Sequence, residues 1–164
     1  MTAPLKTQRL ILRTLASGDA GWITEHIVNR KVQRWLSGPP HPFRYADAEE
    51  WLETSAANPA CRAILCDNDP LGVISITKGD LGYWLKEAAW GQGYATEAAR
   101  ALVAWHFSQG GGKLGSGWHV GNARSGAVLR KLGFRETEIR QEYAPVLGCN
   151  VDVQKVALCA PLRA

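Results

Sequence analysis

The stretch Leu81-Gly-Tyr-Trp-Leu-Lys-Glu-Ala-Ala-Trp-Gly-Gln-Gly-Tyr-Ala-Thr-Glu-Ala98 decides the fold of this 164-residue chain. Leu81 to Leu85 alternates large apolar side chains with little charge, the pattern of a half-buried strand. Gly91 and Gly93 then let the backbone turn tightly. From Ala95 onward, Ala99, Leu102, Val103 and His106 recur at i, i+3, i+4 and i+7, the stripe of an amphipathic helix. The first turn of a helix carries unpaired N–H groups and the positive end of its dipole, so this turn can hold a phosphate.

A Gly-x-Gly on its own also fits a turn that binds nothing. Two familiar phosphate motifs are excluded. No Gly-Lys-Ser/Thr follows the glycines, and Thr96 stands where a dinucleotide fingerprint needs its third glycine.

A second segment sharpens the reading. His119-Val-Gly-Asn-Ala-Arg-Ser-Gly-Ala-Val-Leu-Arg-Lys-Leu-Gly-Phe134 reads as a strand end, an Asn122 cap, a helix and a glycine stop at Gly133. Val128, Leu129 and Leu132 make its buried stripe, while Arg130 and Lys131 face water.

Together, Trp90-Gly-Gln-Gly-Tyr-Ala95 and Asn122-x-x-Ser125…Leu132-Gly-Phe134 resemble the GNAT superfamily of N-acetyltransferases. Gln8-Arg-Leu-Ile-Leu-Arg13, Leu71-Gly-Val-Ile-Ser-Ile76 and Gly82-Tyr-Trp-Leu85 resemble its RimJ/RimL branch, the ribosomal-protein N-terminal acetyltransferases. The likeness spans almost the whole chain. One position departs: the family pattern opens its glycine loop with Gln or Arg, and this chain has Trp90. Backbone N–H groups do most of the phosphate holding, so binding is expected to survive the change.

The resemblance implies a single α/β (α+β) domain over residues 1–164. Its central sheet is expected to be mixed and mostly antiparallel, of about seven strands, with about four helices. The cradle strand and the strand after its helix should splay apart, with the pantetheine arm of acetyl-CoA between them. Carried over by position, Leu85 pairs its backbone with the pantetheine amides, and a main-chain N–H around Trp84–Leu85 faces the thioester oxygen. Gln92, Gly93, Tyr94, Ala95 and Thr96 hold the pyrophosphate, Asn122 the arm, and Ser125 approaches the sulfur. Asn122 and Ser125 fit cap roles as well.

Acetyl transfer needs an amine to attack a thioester, an oxyanion to be held and a thiolate to leave. A protein α-amine is partly deprotonated near neutral pH, so a strong base is not required. The resemblance implies a carboxylate on the strand after Leu-Gly-Phe, where Glu142 is nearest, and His119, which titrates in the useful range, is the other candidate base. His119 is equally readable as a satisfied strand residue. Glu87 and Glu97 read as solvated or helix-start charges.

The elements follow one another without a linker. A strand at Leu10 to Thr14 leads to a helix from about Asp19, with Trp22, Ile23, His26 and Ile27 inward. Ser37-Gly-Pro-Pro-His-Pro42 is loop. Asp47 to Thr54 makes a helix with Trp51 and Leu52 inward. Ala60 to Cys66 and Gly72 to Lys78 make a hairpin around Asp67-Asn-Asp-Pro70. After the cradle helix, Gly110-Gly-Gly112 precedes a strand from Leu114 to His119. The last strands are expected over Arg135 to Tyr143 and Val151 to Cys159. Trp22, Trp51 and Trp105 read as core, and Trp35 is placed to wall an acceptor pocket. Trp84 and Trp118 flank the thioester, as core or as lining.

Composition sets limits. Hydrophobic residues at 46% and charged ones at 21% are ordinary for a globular protein. No apolar run approaches the roughly 20 residues of a membrane span, and no signal-peptide core precedes the domain. Cys61, Cys66, Cys149 and Cys159 lack metal-site spacing and read as reduced thiols of a cytoplasmic protein, with no metal expected. The net charge of +4 comes without a basic stripe, which argues against nucleic acid; it suits a polyanionic coenzyme.

The favoured acceptor is a protein N-terminal α-amine, ribosomal by the branch resemblance. The alternatives are a small amine (amino acid, polyamine or drug) and a non-catalytic CoA-binding module. A monomer and a homodimer both fit.

Overall fold

Leu81, Tyr83 and Leu85 face one side of their strand and Trp84 faces the other, and this alternation separates the two cores of the molecule. The computed structural model describes residues 2–162. In chain order its strands are β1 (Leu5–Lys6), β2 (Ile11–Thr14), β3 (Cys61–Cys66), β4 (Asp69–Thr77), β5 (Asp80–Leu85), β6 (Leu114–His119), β7 (Arg135–Ala144) and β8 (Cys149–Leu158). The helices are α1 (Ala20–Ile27), α2 (Arg30–Gln33), α3 (Tyr45–Ser55), α4 (Tyr94–Ser108) and α5 (Ala123–Lys131). One sheet runs β1-β2-β3-β4-β5-β6-β8-β7. Neighbours are antiparallel except β5 and β6, which are parallel.

The expected mixed sheet is present with one strand and one helix more than the sequence suggested. The additions are β1 and α2, of two and four residues. Segments so short carry no readable periodicity.

Helices α4 and α5 cover one face of the sheet, where Leu102 and Leu129 pack with Leu12, Ile64, Ile74, Leu81 and Leu114. Helices α1 and α3 cover the other, where Ile23, Ile27 and Leu52 meet Ala63 and Val73. Each such large side chain contributes about 1.5–3 kcal/mol by leaving water. Of the tryptophans read as core, Trp22 and Trp105 are half-buried, and Trp51 is 37% exposed at the edge of α3. Trp51 flanks a cavity rather than filling the core.

Local chemistry fixes the entry to α1. The buried Asp19 carboxylate accepts both arms of the Arg13 guanidinium (2.7 and 2.8 Å), the Trp22 indole N–H and the Ala16 amide (both 2.8 Å). Burial alone would raise this carboxyl; the hydrogen bonds from Arg13, Trp22 and Ala16 outweigh it and hold Asp19 below its usual range. The β3–β4 hairpin turns on Asp67 and Asn68 alone, both with positive φ (49° and 66°), so Asp69 and Pro70 already belong to β4.

The sheet parts at its centre. β5 and β6 pair only at Asp80 and Gly115, whereas β6 and β8 stay paired from Leu114 to His119. The Ser116 hydroxyl donates to the Leu81 carbonyl (2.7 Å), the last stitch before the strands diverge. The expected splay is therefore there, and both motifs of the sequence border it.

Candidate active site

The open edge of β5 faces the gap. Lys86 donates its amide to Leu71 (2.7 Å) on the β4 side, and Trp84 is matched with Val73 on that strand. Backbone groups alternate along an extended chain, so Tyr83 and Leu85 direct theirs into the gap. This refines the carry-over: the amide facing the gap is that of Leu85, not Trp84. The Leu85 carbonyl is already occupied by the indole N–H of Trp90 (2.9 Å), leaving its N–H for a ligand. Gly72 lets β4 approach here, since a Cβ at this position would overlap the Trp84 carbonyl and sit 2.8 Å from Leu85 Cα.

The glycine loop has the geometry its sequence predicts. Gly91 and Gly93 take φ of 75° and 79°, and Gly93 is the residue from which α4 starts. Glu97 donates its amide back to the Gly93 carbonyl (3.0 Å), and the amides of Tyr94, Ala95 and Thr96 precede the first intrahelical bond. Gly91, Gly93, Tyr94, Ala95 and Thr96 line one large cavity. Gln92 does not. Its side chain folds back to the Ala88 carbonyl (3.0 Å), and its own carbonyl accepts from Arg9 (2.9 Å). Arg9 also pairs with Glu97 (2.7 Å) and lies over the Tyr94 ring (4.5 Å to its centre), tying the N-terminal segment to the start of α4.

At the other motif the cap belongs to Asn122. Its side-chain oxygen accepts the Ser125 amide (3.4 Å), and α5 closes with Gly133 at φ 92° and a Phe134 N–H to Leu129 bond (3.1 Å). The Ser125 hydroxyl is thus free of capping and instead meets the Tyr83 hydroxyl at 2.9 Å across the gap. Burial pushes the Tyr83 phenol up to about 12, although the Ser125 hydrogen bond pulls the other way. Tyr83 stays protonated at neutral pH; its hydroxyl also reaches the Ser125 carbonyl (3.3 Å), and either hydroxyl of the pair can donate to the other. Strand alternation alone marks Tyr83 only as packing, so this role is not legible in the sequence.

His119 ends β6 nearly buried, 6% exposed. Its Nε2 lies 2.9 Å from the Ser37 hydroxyl, and Trp35 meets its ring edge-on at 6.4 Å. Burial lowers its pKa, partly countered by the charge of Glu142 and a hydrogen bond to the Arg34 carbonyl. The imidazole is neutral at pH 7, a proton acceptor. Ser37, in the proline loop, is a second neighbour that only the fold could reveal. Glu142 lies on β7 with its carboxylate 3.4 Å from Lys155 of β8.

All of these border one cavity of about 730 Å³. Its wall includes the glycine loop, Trp84, Leu85, Trp118, Asn122, Ser125, His119 and Glu142, together with Trp35, Phe43 and Trp51. Apart from Gln92, every site residue read from sequence reaches it.

The sheet thus parts beside a helix N-terminus whose glycine loop lines the same cavity as the open edge of β5. Residues 9–135 match the acetyltransferase (GNAT) domain family, and the chain belongs to that family. It is an acetyl-CoA-dependent N-acetyltransferase, with acetyl-CoA as co-substrate. An uncharacterized N-acetyltransferase, YoaA of Bacillus subtilis (strain 168), is 25% identical over 96% of this chain and 97% of its own. Among solved structures, a GNAT-family acetyltransferase from Bacillus anthracis superposes with a TM-score of 0.84 at 18% identity, covering 96% of this chain and 99% of that one. RimL, described as a ribosomal L7/L12 alpha-N-protein acetyltransferase in complex with coenzyme A, does so at 0.82 and 21%, covering 96% and 98%. At these identities the two structures speak for the fold.

Proposed function

We propose that this enzyme acetylates the α-amine of a protein N-terminus, by direct attack in a ternary complex. The carrying observation is the continuity of the cavity from the glycine loop to an aromatic-walled end, with the neutral His119 between them. The kinship of outline with RimL and with a ribosomal-protein-S5-alanine acetyltransferase from Vibrio fischeri (TM-score 0.81) supports the class of acceptor.

Acetyl-CoA supplies an acetyl group activated as a thioester. The amides of Gly93 to Thr96 hold its diphosphate, and Tyr83 and Asn122 offer polar groups to the arm. The Leu85 N–H is the donor for the carbonyl oxygen, where negative charge builds. His119 takes the proton of the attacking amine, and Glu142 favours the charged imidazole. Ser125, backed by Tyr83, donates to the departing sulfur. Trp35, Phe43 and Trp51 exclude water from the acceptor end.

A small amine is the second reading. It is favoured by the proline loop, whose Ser37 reaches His119 (2.9 Å) at the acceptor end. A panel of peptides with free and blocked N-termini, set against amino acids, polyamines and aromatic amines, separates the two. Turnover confined to peptides with a free α-amine supports the proposal, and turnover confined to small amines overturns it.

A further inference from the structure

The glycine loop brings no positive charge to a polyanionic coenzyme. From Glu87 to Ala99 there is no Lys or Arg, while Glu87 and Glu97 bring two carboxylates. The cations nearby are mostly engaged. Lys86 is held by Asp69 (2.7 and 2.8 Å), and Arg9 by Glu97 and the Gln92 carbonyl. Glu87 is itself held by Lys31 (2.6 Å) and Asn29 (2.9 Å).

Arg124 is the exception. It lines the cavity from the first turn of α5, and among the described residues it makes no hydrogen bond or close ion pair, although its charge reaches Glu87 and helps to lower that carboxylate's pKa. Its guanidinium is not loose, however. It lies over the Trp90 ring, 3.8 Å from the centre, and the indole is pinned by its N–H to the Leu85 carbonyl. A guanidinium seated on an aromatic face keeps its five N–H donors at its rim and loses little freedom on binding an anion. Lys131, the other cation of α5 in the wall, stands seven residues further on, about 10 Å along the axis at 1.5 Å per residue.

We propose that Arg124, seated on Trp90, is the cationic ligand of the coenzyme's phosphates, supplied by α5 because the glycine loop has none. The inference rests on the reading of Gly91–Thr96 as the coenzyme cradle. It also gives Trp90 a purpose: the residue that opens the loop carries the charge that the loop lacks.

The test is calorimetric titration with CoA at several salt concentrations, beside the thermal shift produced by pantetheine, which has the arm and no phosphate. R124M should weaken CoA about ten-fold or more, and flatten the salt dependence of Kd because a screened ion pair is gone. R124K, which keeps the charge and loses the stacked fork, should fall between R124M and the wild type while keeping the salt dependence. Trp90→Leu should fall between R124M and the wild type, and the pantetheine shift should be unchanged in R124M and R124K. Wild-type affinity in a folded R124M overturns the proposal. So does an equal loss of the pantetheine response, which would place the effect in α5 itself. Wild-type protein that does not bind CoA defeats the cradle reading instead, and G93V serves as its separate control.

Discussion

The hydroxyl oxygens of Ser125 and Tyr83 lie 2.9 Å apart, joining α5 to β5 across the gap where the sheet opens. The two groups come from motifs 42 residues apart in sequence, and the contact exists only because β5 and β6 part beyond Asp80 and Gly115. It makes Ser125 a donor with a protonated phenol behind it. Removing that donor should slow the step in which the thiolate leaves. Ser125→Ala is expected to lower kcat by roughly 10- to 1,000-fold with little change in KM for acetyl-CoA. Tyr83→Phe should lower it less, and the double variant should be non-additive. Steady-state kinetics on the four proteins decides. Additive losses would mean that the hydroxyls act separately.

The helix cap offers an internal control. Asn122, not Ser125, supplies the side-chain acceptor, so Asn122→Ala should cost about 0.5–2 kcal/mol of stability while Ser125→Ala costs little. Melting temperatures of both variants separate structure from chemistry. A large loss of stability in Ser125→Ala would return that residue to a structural role.

Gly93→Val tests the cradle. Gly93 sits at φ 79°, a region that β-branched residues resist, and its Cβ would stand 3.5 Å from the Arg9 guanidinium. CoA binding should weaken by at least about ten-fold, near 1.4 kcal/mol. Calorimetry on protein with native circular dichroism is the measurement, and unchanged affinity would remove the cradle assignment.

Asp19 governs acid stability. Its pKa is depressed in the fold, so its contribution is complete above the unfolded value of about 3.9 and declines as pH falls through the lower folded value. Asp19→Asn should destabilise by about 1–3 kcal/mol at neutral pH, because Arg13 and the Trp22 indole lose a charged acceptor. The variant should also lose less stability than the wild type below pH 4. Urea melts across pH check both, and parallel acid limbs would sink the linkage.

The strand–loop–helix unit and the α5 cap were legible because each is a local pattern: alternation, glycines, an Asn and a stripe; the splay was expected only from the family resemblance. What stayed hidden depends on distant contacts. Tyr83 looked like any inward strand residue until Ser125 was placed against it. Ser37 sat in a proline loop whose path no periodicity describes, and it lies 82 residues from His119. Gln92 was assigned to the pyrophosphate because it falls inside the motif, yet its side chain closes the turn onto Ala88. Trp51 was read as inward from helical phase alone, but the cavity beside α3 gives that face an open side.

The last prediction concerns proton transfer at His119. Burial holds this imidazole below its ordinary 6.5, so it is neutral and able to accept a proton across the physiological range. Two limbs should then appear in kcat/KM for the acceptor. The lower belongs to His119, below about 6.5, and the upper to the amine, near 7.7–8.0 for an α-amine and toward 10.4 for a lysine-like one. Glu142 raises the His119 value, so Glu142→Gln should move the lower limb further down. His119→Gln should abolish that limb and reduce turnover by about 10²–10⁴-fold, leaving the amine limb in place. The same burial has a stability sign: the folded state disfavours the imidazolium, so His119 costs stability as pH falls below about 6.5 and into its lower folded value. A pH–rate series on the wild type and both variants, with acetyl-CoA saturating, tests the whole set. A profile flat from about pH 6 to 9 would remove amine deprotonation from rate control. Wild-type turnover in His119→Gln would leave the imidazole as a packed partner of Ser37 and Trp35, with water taking the proton.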